Sequence, residues 1–286
     1  MRWERGRRSD NIEDRRGMRM GGKGLAGGGI GAIVLALVAL YFGVDPSVVL
    51  NQAGGLAGAP QETSQPSPAS PEEERLKDFM SAVLADTEDV WGGLFAASGQ
   101  TYRQPKLVLF SGAVESACGH ASAAMGPFYC PGDQKLYLDM SFFNDLARRH
   151  DAPGDFAQAY VVAHEVGHHI QTLLGISEKV HAARSRAGEA EGNALQVRME
   201  LQADCYAGVW AYHANRERQV LEPGDTEEAL AAAAGVGDDR LQQQARGYVV
   251  PESFTHGSSE QRMRWFQRGM QSGDPGQCDT FKAARL

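Results

Sequence analysis

Two histidines separated by three residues, the first followed at once by a glutamate, occur at His164-Glu165-Val166-Gly167-His168. On an α-helix, residues four apart lie about 6 Å apart along the axis and on nearly one face, so both imidazoles can aim a nitrogen at a single ion. Glu165 stands about 100° further round, within reach of a water on that ion without being a ligand, which suits a general base. A catalytic zinc takes three protein donors and keeps one position open, so a third donor is required. The stretch Asn193–Asn215 offers it. Along its helical stripe Val197, Glu200, Leu201, Asp204, Ala207, Gly208 and Ala211, only Glu200 and Asp204 are polar. Unpartnered carboxylates on a buried face are costly, whereas one bound to a cation and one hydrogen-bonded to a ligating imidazole are both satisfied. Glu200, 32 residues after His168, is therefore assigned as third ligand, and Asp204, one turn later, as the carboxylate that orients a ligand histidine. His181, Glu189 and Glu191 compete for the third place, but they sit in the charge-rich run EKVHAARSRAGEAEG, which reads as a solvated face. His169 points away from the two-histidine stripe and is assigned to packing or to support of a ligand.

These side chains need helices to hold them. Phe156, Tyr160, Ala163, Gly167, Ile170 and Leu174 recur at three- and four-residue steps around the motif. Asp155, with Gln158 three residues on, reads as the N-cap, and Gly175 as the stop. Leu107–Phe110 and Lys135–Met140 read as short strands ahead of this helix. After Asp225, whose capping box Glu228 completes, the chain reads as helical to its end, with a break around Tyr248–Ser258 and a cap at Ser258. The fold class expected is α+β, mostly helical with a small sheet.

Residues 1–23 carry eight basic side chains (Arg2, Arg5, Arg7, Arg8, Arg15, Arg16, Arg19, Lys23) against four acidic ones (Glu4, Asp10, Glu13, Asp14), a charge of +4 in a chain of −8. The rest is strongly acidic and cannot neutralise a phosphate backbone, which argues against nucleic acid as a partner. Residues 24–44 contain no charge and are long enough to cross a hydrocarbon core of about 30 Å, so a single transmembrane helix is expected. The competing reading is a signal peptide, because the early glycines shorten the well-formed apolar part to Ile30–Val44. Positive charge tends to stay in the cytoplasm, which places the basic head inside and everything after Asp45 outside. Residues 45–71, rich in Gly, Ala, Pro and Ser, read as a flexible tether, and residues 72–286 as one soluble domain. Whether the polar RSDNIEDRRG in the head docks a partner or only flanks the anchor is left open. In an oxidising compartment the four cysteines are expected to pair as Cys118–Cys130 and Cys205–Cys278, and no CxxC suggests a cysteine zinc site instead.

HEVGHH followed by ELQAD resembles the gluzincin class of zinc peptidases, with HExxH on one helix and ExxxD on a second. More closely, the chain resembles the bacterial YpfJ-like family of neutral zinc metallopeptidases. The likeness runs through RSDNIEDRRG, CGHASAAMGPFYCPGDQKLYLDMSFF, GDFAQAYVVAHEVGHHIQ, ELQADCYAGVWA and FTHGSSEQR, nearly the whole chain. The resemblance implies a zincin-like domain, Zn2+ as cofactor, a protein or peptide substrate, and peptide-bond hydrolysis with Glu165 as base. It also implies a His or Tyr that steadies the tetrahedral oxyanion: His256 is the first candidate, then Tyr206 and Tyr160. In zincin folds a strand beside the active-site helix pairs with extended substrate, so Lys135–Asp139 is either that edge or a core strand. Two other functions stay in view, a membrane-anchored scaffold with a structural zinc site and a hydrolase of another amide such as a cell-wall peptide crosslink. A structural site needs ligands but no base, so Glu165 speaks against the first.

Overall fold

The computed structural model describes residues 1–17 and 69–286. The expected transmembrane run, residues 24–44, lies outside the described residues, as does the tether up to residue 68. Among the described residues no helix is long and apolar enough to cross a membrane.

Strand β1 is Ile12–Asp14. Ser70 caps helix α1 (Pro71–Ala97) through a reciprocal box with Glu73. Strands β2 (Lys106–Phe110), β3 (Ala113–Ser116), β4 (Gly119–Ser122), β5 (Phe128–Cys130) and β6 (Lys135–Asp139) follow, then helices α2 (Phe142–Arg149), α3 (Asp155–Leu173), α4 (Ile176–Arg184), α5 (Glu189–Arg218), α6 (Asp225–Gly235), α7 (Asp238–Arg246) and α8 (Ser259–Ser272). The fold is α+β and mostly helical, as expected. One sheet has the order β1-β2-β6-β5, parallel except for β5, and β3 and β4 form a separate antiparallel pair.

Alternation along β2 and β6 explains their position. Leu107, Leu109, Leu136 and Leu138 enter the main core with Phe156, Tyr160 and Trp210, while Val108, Phe110 and Tyr137 face a smaller core under the β3-β4 pair. Both strands are thus buried on two faces, as parallel strands usually are. Lys135–Asp139 pairs with β2 along its length and with β5 over Lys135–Tyr137, so that part is a core strand. Both disulfides, Cys118–Cys130 and Cys205–Cys278, are formed as expected.

The N-terminal residues differ from expectation. Residues 1–16 are not a separate head, because they belong to one compact unit with residues 69–286. β1 pairs in parallel with β2, placing Ile12 opposite Leu107. Met1 and Trp3 are buried, with Trp3 against Phe79 at 5.1 Å between ring centroids. Sequence patterning missed this, since RSDNIEDRRG docks through backbone hydrogen bonds and ion pairs rather than an apolar stripe.

Two expected caps also differ. Asp155 is the first residue of α3 rather than its N-cap, and it accepts a hydrogen bond from the Met1 amine at 2.7 Å. The Glu228 carboxylate instead receives the Phe156 N–H at 3.0 Å, so α3 is capped from α6. Asp225 opens α6 without a side-chain cap, because Glu228 is committed elsewhere. Gly175 ends α3 in the left-handed conformation and Ser258 caps α8 with Gln261, both as read. Beyond α8 the chain is a single 3-10 turn and coil, tied to α5 by the Cys205–Cys278 bond.

Candidate metal centre

The site forms where α3 crosses α5. Gly167, midway between the two histidines of the motif, permits the approach: a β-carbon there would stand 2.9 Å from the Ala203 carbonyl oxygen and 3.0 Å from its α-carbon. Helix α8 lies equally close to α5 on its far side, because a β-carbon at Gly208 would meet the Phe266 oxygen at 2.1 Å.

His164, His168 and Glu200 converge as assigned, their donor atoms all within 4.8 Å of one another. Glu200 Oε2 lies 3.2 Å from His164 Nε2 and 3.4 Å from His168 Nε2. Donors about 2.0–2.2 Å from a tetrahedral zinc stand about 3.4 Å apart, so these separations fit that ion. Each ligand's other polar atom is held from outside. His164 Nδ1 donates to Asp204 Oδ1 at 2.8 Å, His168 Nδ1 pairs with Gln171 Oε1 at 2.9 Å, and Gln196 Nε2 donates to Glu200 Oε1 at 2.7 Å. Three fixed ligands with their free atoms facing one another are what a metal site requires of its supporting shell. Asp204 lies behind His164, where the sequence placed it.

Asp204 is saturated, for Tyr160 Oη donates to Oδ1 at 2.5 Å and Arg262 donates to both oxygens at 2.9 Å. Arg262 is almost fully buried and was missed in the sequence. Its signal was there, a basic residue on the same α8 stripe as Phe266 and Gly269. Gln171 and Gln196 were also missed, one turn from the ligands they hold. Tyr160 is therefore spent behind His164 and cannot reach an oxyanion, and Tyr206 is buried edge-on against Trp91, 5.5 Å away. His169 is a packing residue: wholly buried, it bonds the Arg103 carbonyl at 2.6 Å and Tyr129 Oη at 3.1 Å. His181, Glu189 and Glu191 are exposed, as a solvated face should be.

His256 occupies the loop before α8. Asp238 Oδ2 accepts the backbone N–H groups of Thr255, His256 and Gly257, and Asp238 Oδ1 lies 3.3 Å from His256 Nδ1. The loop rests on α5, since a β-carbon at Gly257 would meet Leu201 and Val197, which flank Glu200. The half-exposed imidazole leaves Nε2 free.

Electrostatics follow from these contacts. Burial opposes protonation of His164, yet the Asp204 carboxylate outweighs it and raises the imidazole to about 9. Burial likewise opposes ionisation of Glu200, and the two imidazoles still hold it well below the usual carboxylate range. Asp204 ionises against burial because of Arg262. Burial takes His169 down to about 4. The hydrogen bond to Asp238 raises His256. A cation at the three donors therefore competes with protons and releases them on binding.

Comparison with known proteins agrees with this geometry. A family model described as "Putative neutral zinc metallopeptidase" matches residues 1–281. The protein YpfJ of Escherichia coli strain K12 is 52% identical over 290 residues, 98% of this chain and 99% of its own. A protein of Mycobacterium bovis is 43% identical over 267 residues, 87% of this chain and 86% of its own. Neither relative's name states an activity, and no solved structure matches. With a match over almost its full length and the ligand constellation assembled, the chain belongs to this zinc metallopeptidase family.

Proposed function

We propose that the protein hydrolyses peptide bonds in a zinc-dependent reaction, with His164, His168 and Glu200 holding the ion and Glu165 acting as general base. The observation that carries this is the division of labour on α3 and α5. Three donors are locked by Asp204, Gln171 and Gln196, while Glu165, half-buried on the same helix, is not one of them. When bound, zinc supplies a Lewis acid that polarises a carbonyl and acidifies the water it holds. Glu165 takes the proton of the attacking water and returns it to the departing amine nitrogen. His256, whose protonated form Asp238 favours, donates from Nε2 to the carbonyl oxygen as charge develops there. A groove of about 570 Å³ beside α5 is lined by Ala194, Val197 and Phe254 together with Glu252, Glu260 and Arg264.

The two disulfides support a site of work on the oxidising side of a membrane, with the apolar run at residues 24–44 as tether. The full chain is the form to assay, because a start at residue 72 would strip β1 from the sheet. Wild type and Glu165→Gln are expected to bind one zinc each, and the variant to cleave a peptide library about 100- to 10,000-fold more slowly. Equal, null activity in both would instead favour a structural zinc, and equal cleavage would remove Glu165 from the chemistry.

A further inference from the structure

The charged head and the metal domain flank residues 24–44, the longest charge-free apolar run in the chain. One crossing of a membrane by that run would put about 30 Å of hydrocarbon between its two flanks. The fold puts those flanks side by side. Arg16 donates to Glu74 Oε1 at 2.7 Å, Lys77 reaches Asp14 at 2.8 Å, and Lys135 of β6 reaches Glu13 of β1 at 2.8 Å. Backbone bonds run from Arg15 N to Leu109 O at 2.8 Å and from Leu107 N to Asn11 O at 2.9 Å.

The charges in the head have a use in this arrangement. Arg7 pairs with Glu88 and Asp89, each at 2.8 Å, and Arg8 with Asp78 at 2.6 Å. All three carboxylates belong to α1, so these arginines of the head meet an acidic face of the domain. Topology rules count such arginines as signals that hold a flank in the cytoplasm. Here they are consumed in docking, and their partners lie on the far side of the apolar run in the sequence.

We infer that the head and the metal domain occupy the same side of the membrane, and that Arg7, Arg8 and Arg16 are docking charges for α1 rather than a cytoplasmic anchor. A single membrane crossing between the two flanks does not fit those contacts. This corrects the opposite-sides arrangement that charge counting suggests, and it does not depend on the peptidase chemistry.

The test uses the full chain in intact cells that express it. Arg5→Cys places a thiol on the exposed head and Lys282→Cys one on the exposed tail, whose side chain is 87% exposed. Each variant is treated with a membrane-impermeant maleimide before and after permeabilisation, with wild type as control. The expected result is the same pattern at both positions, both labelled or both protected, within about twofold. Labelling of one with protection of the other would overturn the inference. A second measurement is independent of labelling. A protease site inserted between Thr63 and Ser64 is cut in detergent, and the two fragments are expected to co-purify. Release of the N-terminal fragment at moderate salt would equally overturn it.

Discussion

Gly167→Ala tests whether the close approach of α3 and α5 sets the metal geometry. The new methyl carbon would lie 2.9, 3.0 and 3.2 Å from the O, Cα and Cβ atoms of Ala203. Two of these atoms are backbone in the middle of α5, so no rotamer change relieves the clash. Ordinary packing requires the helices to part by about 0.5 Å. Glu200 rides on α5 and both histidines on α3, so the 3.2 and 3.4 Å separations of their donor atoms widen by a similar amount. Metal-ligand distances tolerate about 0.2 Å, and a disturbed ligand set costs about 10- to 100-fold in affinity. Stability should change less. Alanine gains up to about 1 kcal/mol in helix propensity against an overpacking cost of about 1–3 kcal/mol. Zinc affinity measured by competition with a chromophoric chelator is expected to fall at least about tenfold. The far-ultraviolet dichroism should stay native. Wild-type affinity in a folded Gly167→Ala protein would refute the reasoning.

Three further outcomes follow from the contacts around the site. Arg262→Met leaves Asp204 a buried charge without its cation and should lower stability to urea by about 3–5 kcal/mol, with Arg262→Lys intermediate; equal stability of all three proteins would contradict the ion-pair account. Asp238→Asn weakens the charge-assisted hydrogen bond that raises His256 while keeping an oxygen for the loop N–H groups. The proposed role uses the His256 cation, which is lost as pH rises through its pKa, so the alkaline limb of kcat/KM should move to lower pH, and an unmoved limb would exclude His256. Replacing Cys205 and Cys278 with alanine opens a 73-residue loop and should cost about 4 kcal/mol by thermal unfolding; no loss would mean that packing alone holds the tail.

Spacing made the centre legible because a helix repeats rigidly. Residues four apart share a face, so His164, His168 and the Glu200-Asp204 pair could be placed before any coordinates. The same rule hid the supports. Gln171 and Gln196 look like ordinary polar helix residues until their neighbours are known. His169, adjacent to a ligand in sequence, turned out to be a packing residue because the face opposite the site lies against Tyr102 and Tyr129. Asp155 and Glu228 both lost their expected caps to partners distant in the chain, Met1 and Phe156.

Local pattern in this chain specifies what is periodic or covalent: His164, Glu165 and His168 on one helix, the carboxylate pair on another, the cysteine pairing and the mostly helical α+β class. Long-range packing settles the rest. Helix α8 had to lie against α5 at Gly208 and Gly269 before Arg262 could reach Asp204 across 58 residues. β1 had to find β2 before Arg7 and Arg8 could be placed against the carboxylates of α1. Those contacts form between segments with no common periodicity, and a side chain's type shows what it can bind without showing which distant partner the folded chain will bring to it.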